Sequence, residues 1–185
     1  MHIKKLGDSS DTLVRGVLVV LLIVFAITGR LMPHPDNVAP IAAVALLGGA
    51  LLPRRWALTL PVAAMVVSDL FIGLHSLILF TWGSFALIAL GSHLWLKRIR
   101  PAGVVVASLA ASTFFYVVTN FAVWAFGDMY AHSWAGLMQC YVNALPFFRN
   151  TLVGDLVFTV TLFGAYALAW RYALPYVRQR LVRQN

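Results

Sequence analysis

The sequence predicts an all-α membrane protein with six transmembrane helices and both termini in the cytoplasm. Of its 185 residues, 61% are hydrophobic and only 11% are charged, whereas a soluble domain carries about a quarter charged residues. The hydrophobic residues form long continuous runs rather than the alternating pattern of a membrane barrel. These features argue against a soluble globular enzyme and exclude a disordered chain.

Six apolar runs qualify as membrane spans, since a span takes roughly 20 apolar residues. We expect them at residues 12–31, 38–52, 56–72, 77–96, 102–126 and 151–172. The second and third runs are short, so they are expected to tilt little or to border a cavity. Because the chain shows no repeat and no linker, residues 1–185 are expected to form a single membrane domain.

The distribution of Lys and Arg predicts the orientation of these spans. With the N-terminus inside, 12 of the 14 basic residues fall on the inner side, namely Lys4, Lys5, Arg15, Arg54, Arg55, Lys97, Arg98, Arg100, Arg171, Arg178, Arg180 and Arg183. Only Arg30 and Arg149 fall on the outer side. Topology therefore explains the net charge of +8, and no nucleic-acid partner is indicated.

Two carboxylates lie within predicted spans, Asp69 and Asp155, each about one helical turn from the outer end. An ionised carboxylate at that depth costs a few kcal/mol unless it is paired or hydrated. Arg30 and Arg149 end spans in the same layer, so the sequence predicts Arg–Asp pairs around a pocket that opens outward. The same pairs could instead serve only to fix the register of the helices.

Two outer connections carry further signals. Residues 32–40 contain three prolines, which predicts a stiff non-helical loop suited to recognition, or simply a tight turn. Residues 133–145 show helical spacing of apolar residues, which predicts an amphipathic helix in the outer interface that ends at Pro146. That helix could be a lid over the pocket or a passive interfacial element.

The sequence indicates neither an enzyme nor a metal site, and it indicates no cofactor. His34, His75 and His132 lie outside the spans but lack the close spacing of metal ligands. No nucleophile elbow, phosphate-binding glycine loop or zinc-protease motif is present. An intramembrane hydrolase that uses Asp69 and Asp155 is the less favoured alternative. The single cysteine, Cys140, excludes an internal disulfide.

Three segments carry a family resemblance: residues 30–40 (RLMPHPDNVAP), 68–73 (SDLFIG) and 146–155 (PFFRNTLVGD). Together with the six-span pattern, they resemble an uncharacterised bacterial inner-membrane family similar to the S components of energy-coupling-factor (ECF) vitamin transporters. The resemblance implies an S-component-like fold in the bacterial cell inner membrane. It also implies a solute captured from the outer side, beneath the first, third and fifth loops.

The chain departs from S components in one respect. Its first span lacks the Ala-x-x-x-Ala pattern by which S components dock onto the shared energising module, while the second span carries Ala39-x-x-x-Ala43. Docking on an ECF module or on another membrane subunit is therefore left open. Cobalamin-type relatives use a cysteine in the third loop; here His75 or Cys140 could ligate cobalt, so the resemblance allows a corrinoid ligand.

We therefore expect a membrane transport protein that binds a small vitamin-like solute. An accessory subunit of a larger membrane complex is the alternative. Charged groups would set the electrostatics of the pocket, amides and imidazoles would supply directional hydrogen bonds, and indoles could stack on a ring system. The candidate ligand-binding residues are Arg30, His34, Asn37, Asp69, His75, Asn120, Trp124, Trp134, Asn143, Arg149 and Asp155.

Overall fold

The computed structural model describes residues 9–173, and side chains from residue 15 to residue 172. This part of the chain forms six α-helices and no β-strand. The helices are α1 (Ser9–Leu31), α2 (Ile41–Leu51), α3 (Arg54–Ile72), α4 (Ile78–Trp95), α5 (Pro101–Phe126) and α6 (Trp134–Leu168), and a π-helical turn (Ala169–Ala173) follows α6. The terminal basic residues used to orient the chain lie outside the described residues, namely Lys4, Lys5, Arg178, Arg180 and Arg183.

The predicted all-helical membrane fold is confirmed at this level. Within the described residues, α3, α4, α5 and α6 with its π-helical turn are long and apolar enough to cross a membrane, judged by length and composition. The helix α2 is equally apolar but shorter. Such a set of helices is that of a multi-pass membrane protein.

The short helix α2 lies at the centre of the bundle. Ten of its eleven residues are buried, and it packs against each of the other five helices. Because protein rather than lipid surrounds it, α2 does not need the roughly 20 residues of an independent span. Ala43 and Ala45 of the second span are fully buried, so they serve packing within the chain.

Helix α4 approaches α2 most closely at Gly49. A Cβ placed on Gly49 would collide with the backbone carbonyl of Ala89 and with the side chain of Ser92. The contact is reinforced by polar groups, because the Ser92 hydroxyl donates to the Leu46 carbonyl at 2.5 Å. The imidazole Nδ1 of His93 lies 3.1 Å from the Gly49 carbonyl. Small side chains thus let backbone and hydroxyl groups pair inside an apolar core.

The helices alternate in direction, so α1, α3 and α5 end where α2, α4 and α6 begin. We call this the cavity end of the bundle. The proline-rich loop there is irregular between Met32 and Pro40, as its sequence predicts. Proline also precedes or begins three helices (Pro40 before α2, Pro53 before α3 and Pro101 in α5). At a helix start, the missing N–H of proline leaves no helical hydrogen bond unmade.

The largest difference from the prediction concerns α6. The expected interfacial helix at 133–145 and the expected sixth span at 151–172 form one continuous helix of 35 residues that contains Pro146. Proline removes one backbone hydrogen bond but is tolerated in membrane helices when neighbouring helices support the turn. The prediction that Pro146 ends a helix was therefore wrong.

Contacts from α5 explain why α6 stays continuous across Pro146. The Tyr116 hydroxyl donates to the carbonyl of Tyr141 at 2.6 Å, and the Tyr116 ring stacks on Phe148 with centroids 4.4 Å apart. The Tyr141 hydroxyl donates in return to the Val117 carbonyl at 2.8 Å. Tyr116 of α5 therefore contacts α6 on both sides of the proline, which supports the helix where Pro146 removes a backbone hydrogen bond.

Candidate functional site

A cavity of about 360 Å³ lies at the cavity end of the bundle. It is bounded by α1, α3, α4, α5 and α6, by the start of α2 and by the loops before α2 and α4. Its polar lining consists of Arg30, His34, Asn37, His75, Thr81, Thr151 and Asp155. A second lobe of about 330 Å³ adjoins it and shares Asn37, His75, Thr81, Phe115 and Thr151. The result is a two-lobed cavity within the volume range of small-molecule sites.

One wall of the cavity is a charged cluster that joins α1, α3 and α4. Arg30 Nη2 donates to Asp69 Oδ1 at 2.5 Å, and Trp82 Nε1 donates to Asp69 Oδ2 at 2.7 Å. Arg30 also contacts the sulfur of Met65. Asp69 is only 1% exposed and both of its oxygens accept hydrogen bonds, so its carboxylate is satisfied and the cluster links three helices. The buried Nε of Arg30 makes no hydrogen bond within the described residues.

The opposite wall holds Asp155, which is 4% exposed. Its Oδ2 accepts a hydrogen bond of 2.6 Å from the Ser112 hydroxyl. Its Oδ1 makes no hydrogen bond with any residue between 15 and 172, and no cation within those residues pairs with it. Asp69, which lies behind the lining, is therefore balanced by Arg30, whereas Asp155, in the lining, lacks a counter-charge within the described residues.

Aromatic rings form the apolar part of the cavity. Phe85 of α4 and Phe115 of α5 stack with centroids 4.9 Å apart and an interplanar angle of 26°. Both rings line the first lobe, and Phe115 also lines the second. A stacked pair of this kind presents a flat surface against which a planar group can pack.

The proline-rich loop closes one side of the cavity and is held on α6. Asn150 Nδ2 donates to the Asp36 carbonyl at 3.2 Å, and a Cβ on Gly154 would come within 3.1 Å of the Val38 side chain. Within the loop, Asn37 adopts a positive φ of 62°, which asparagine tolerates better than most residues. The ring nitrogens of His34 lie 2.9 Å from the Pro35 carbonyl and 3.3 Å from that of Arg30.

The structure brings together seven of the candidate residues chosen from the sequence. The first lobe is lined by Arg30, His34, Asn37, His75 and Asp155, and the second lobe by Asn37, His75 and Asn120. Asp69 lies directly behind Arg30. Of the Arg–Asp pairs that the sequence left open, Arg30–Asp69 is present.

Four candidates lie away from the cavity. Trp124 donates to the Ala131 carbonyl at 3.0 Å, and Trp134 is 74% exposed at the start of α6. Asn143 is exposed and donates to the Tyr130 hydroxyl at 3.4 Å. Arg149 lines a separate groove on the far side of α6. None of the four lines either lobe.

The position of Arg149 follows from the continuity of α6. Arg149 and Asp155 are six residues apart on one helix, which places them roughly 120° apart around its axis. Asp155 therefore forms no ion pair with Arg149, which the sequence had left as one possibility. That pair would have required Arg149 to lie in a non-helical connection before the sixth span, as the sequence predicted for residues 146–150.

Sequence reasoning missed Ser112, the partner of Asp155, as well as the threonines and phenylalanines of the lining. One signal was available for Ser112. Small residues recur one helical turn apart in the fifth span, at Ala107, Ser108, Ala111 and Ser112, which is typical of a face where a second helix packs closely. The apolar lining carried no signal, because phenylalanines are common in any membrane span.

No group of three or more His, Cys, Asp or Glu side chains within the described residues could hold a metal ion. Cys140 is buried, and its thiol donates to the Asn120 carbonyl with a distance of 3.4 Å. Neither lobe includes Cys140 in its lining.

Two hydroxyl groups lie one helical turn from the Asp155–Ser112 pair, those of Thr159 and Ser108. Both are buried and neither makes a hydrogen bond within the described residues. A buried hydroxyl without a partner costs about 1–3 kcal/mol. We therefore expect Thr159→Val, which keeps the shape of the side chain, to raise the free energy of unfolding by about 1 kcal/mol. Titration of mixed micelles with sodium dodecyl sulfate measures the change.

The control for this prediction is Thr113→Val. The Thr113 hydroxyl is exposed and donates to the Leu109 carbonyl of its own helix, so its removal is expected to change stability by less than about 0.5 kcal/mol. A loss of stability in Thr159→Val larger than in Thr113→Val would show that the Thr159 hydroxyl has a partner in the membrane-embedded protein.

Comparison with known proteins finds one match, to a protein family described as a family of unknown function (DUF6580), over residues 10–179. No curated protein and no solved structure matches the chain. The family match covers both walls of the cavity and all six helices from the second residue of α1 onward. The chain belongs to the DUF6580 family.

Proposed function

We propose that this protein captures a small vitamin-like solute in the two-lobed cavity and takes part in its transport across the membrane. The observation that carries the proposal is that polar residues from distant parts of the chain line one cavity. Polar residues from the first, fourth, fifth and sixth predicted spans and from two loops meet at one concave site lined by stacked aromatic rings. Small-molecule sites combine an apolar lining with a few placed polar groups in this way.

The three segments that resemble S-component relatives support the same conclusion, because they meet in space. Arg30 of the first segment pairs with Asp69 of the second. The carbonyl of Asp36, in the first segment, accepts from Asn150, in the third. Segments more than a hundred residues apart therefore build one site, which favours a shared functional role over three unrelated turns.

We propose that the cavity opens at the outer face of a bacterial inner membrane, the orientation that the basic residues favour. The lobes suit a ligand of drug-like size or smaller, and a corrinoid is larger than this range. An ECF energising module, if one takes part, would have to dock on a surface other than the Ala39/Ala43 pattern of the second span, because Ala43 is fully buried in the core.

The test is ligand-dependent stabilisation of the purified protein. A bound solute raises the melting temperature in proportion to the logarithm of its concentration. We expect at least one compound in a panel of vitamins and their precursors to do so. Thr81→Phe, which fills a position shared by both lobes, should abolish the shift.

The matched control is Leu79→Phe, on the same helix but 81% exposed on the bundle surface; it should retain the shift. Native mass spectrometry provides a second measurement, because a captured solute should copurify with wild type and Leu79→Phe but not with Thr81→Phe. If no compound shifts the melting temperature and no solute copurifies, the proposal is wrong. A protein partner recovered at fixed stoichiometry would then favour an accessory subunit.

A further inference from the structure

We propose that the solute is an organic cation, with its positively charged nitrogen bound by Asp155 and its planar apolar part against the Phe85–Phe115 pair. This inference rests on the proposed function and specifies the chemical class of its ligand. It follows from the charges, hydrogen bonds and ring contacts of the residues that line the first lobe.

The charges of the lining leave a single unbalanced carboxylate. The ionisable side chains of the lobe are Arg30, His34, His75 and Asp155. The charge of Arg30 is met by Asp69 at 2.5 Å. No such partner exists for Asp155 within the described residues, so a ligand that supplies positive charge would complete the site.

The hydrogen bonds of Asp155 point the same way. Ser112 satisfies Oδ2, but Oδ1 has no donor within the described residues and is the oxygen available to the cavity. A buried carboxylate is strongly unfavourable unless it is paired and hydrogen-bonded. A protonated amine or amidine supplies both the charge and the N–H donor that Oδ1 lacks.

An anionic solute fits the lobe poorly. The charge of Arg30 is already paired with Asp69, and only its Nε–H lacks a hydrogen bond within the described residues. The ring nitrogens of His34 lie by backbone carbonyls, which leaves the imidazole of His75 as the remaining basic group of the lining. An anion would also meet the uncompensated charge of Asp155. A neutral solute would leave that charge unpaired on binding. Of the three charge classes, a cation supplies the counter-charge that the ionised Asp155 carboxylate lacks.

The aromatic wall favours a cation that carries a flat apolar part. Phe85 and Phe115 stack with an interplanar angle of 26° and line the same lobe as Asp155. A flat ring can pack on this surface, and the negative face of a phenylalanine ring attracts a nearby positive charge. An amphiphilic cation of about 360 Å³ or less would use both features at once.

Three isosteric probes test the inference: benzamidinium, benzamide and benzoate, which share one shape and carry positive, zero and negative charge. Isothermal titration with the full chain in lipid nanodiscs measures their affinities. We expect wild type to bind benzamidinium at least tenfold more tightly than benzamide or benzoate. In Asp155→Asn the preference should fall below threefold, whereas Asp155→Glu should retain it.

The control variant is Asp128→Asn, which removes an exposed carboxylate after α5 that lines neither lobe; it should keep the tenfold preference. A second measurement needs no variant at the site. A hydrophobic carbodiimide should label Asp155 of wild type, and benzamidinium, but not benzoate, should slow that labelling at least fivefold. This readout decides the question if Asp155→Asn fails to fold.

The inference is overturned if benzoate or benzamide binds as tightly as benzamidinium, if none of the probes binds, or if Asp155→Asn keeps the preference for the cation. Its failure can be told apart from failure of the proposed function. A vitamin that stabilises wild type and Asp155→Asn equally, but not Thr81→Phe, would support the solute-binding cavity and contradict only the inference that the solute is a cation.

Discussion

Replacing Asp69 with alanine is expected to lower the free energy of unfolding by about 3–5 kcal/mol, because it leaves the Arg30 guanidinium partly buried without a counter-charge. Arg30 is 17% exposed, and Asp69 is its only carboxylate partner within the described residues. The substitution also removes the acceptor of the Trp82 indole N–H. The change can be measured by unfolding in mixed micelles and by the melting temperature in nanodiscs.

A double variant separates loss of the pair from loss of packing. Adding Arg30→Met to Asp69→Ala removes the unpaired charge, so we expect it to recover at least half of the lost stability. Asp36→Asn, at an exposed carboxylate, should change stability by less than about 0.5 kcal/mol. If Asp69→Ala costs no more than this control, the ion pair does not hold α1 against α3.

Substitution of Gly49 by alanine should have the second largest effect, a loss of about 3 kcal/mol. An added Cβ would collide with the Ala89 carbonyl and with Ser92, and overpacking of this kind forces backbone shifts. Moving α4 away from α2 would also break the bond from the Ser92 hydroxyl to the Leu46 carbonyl. The expected result is a lower melting temperature with no change in helix content at 25 °C.

Gly91→Ala is the matched control for this substitution. Gly91 lies on α4, and a Cβ there would meet nothing within 4 Å. Alanine is the better helix former, so Gly91→Ala should be neutral or stabilising by up to about 1 kcal/mol. Equal stability changes in the two variants would mean that α2 and α4 do not approach closely at Gly49.

Continuous apolar runs were sufficient to predict five of the six helices. These five begin and end within three residues of the spans expected from hydrophobicity alone, because turns such as 73–77 and 96–100 interrupt the runs sharply. The central position of α2 was harder to predict from the sequence. The shortness of α2 indicated that lipid does not surround it on all sides. Only the structure shows which helices pack on it, for example α4, where Gly49 lies against Ala89.

The continuity of α6 could not be predicted, because it depends on a tertiary contact. Locally, Pro146 is a helix-breaking residue, and most helices end before such a position. What keeps the helix together is Tyr116, which bonds to Tyr141 on one side of the proline and stacks on Phe148 on the other. No pattern within residues 134–168 carries that information.

The candidate site was partly predictable for a physical reason. Charged groups in a membrane are costly, so Asp69, Asp155 and Arg30 stand out against the apolar background of the sequence. Which carboxylate pairs with which arginine was not predictable, since it depends on the helical phase between Arg149 and Asp155. The aromatic wall was equally hidden among the 12 phenylalanines of the chain.

The unbroken helix α6 has a mechanical consequence. Its 35 residues span roughly 50 Å at 1.5 Å per residue, well beyond the roughly 30 Å of a hydrocarbon core. Thr151 and Asp155 lie near its middle, in the cavity wall. If filling the cavity tilts this wall, both ends of the helix are expected to move, and the indoles of Trp134 and Trp170, one near each end, would report that movement by their fluorescence.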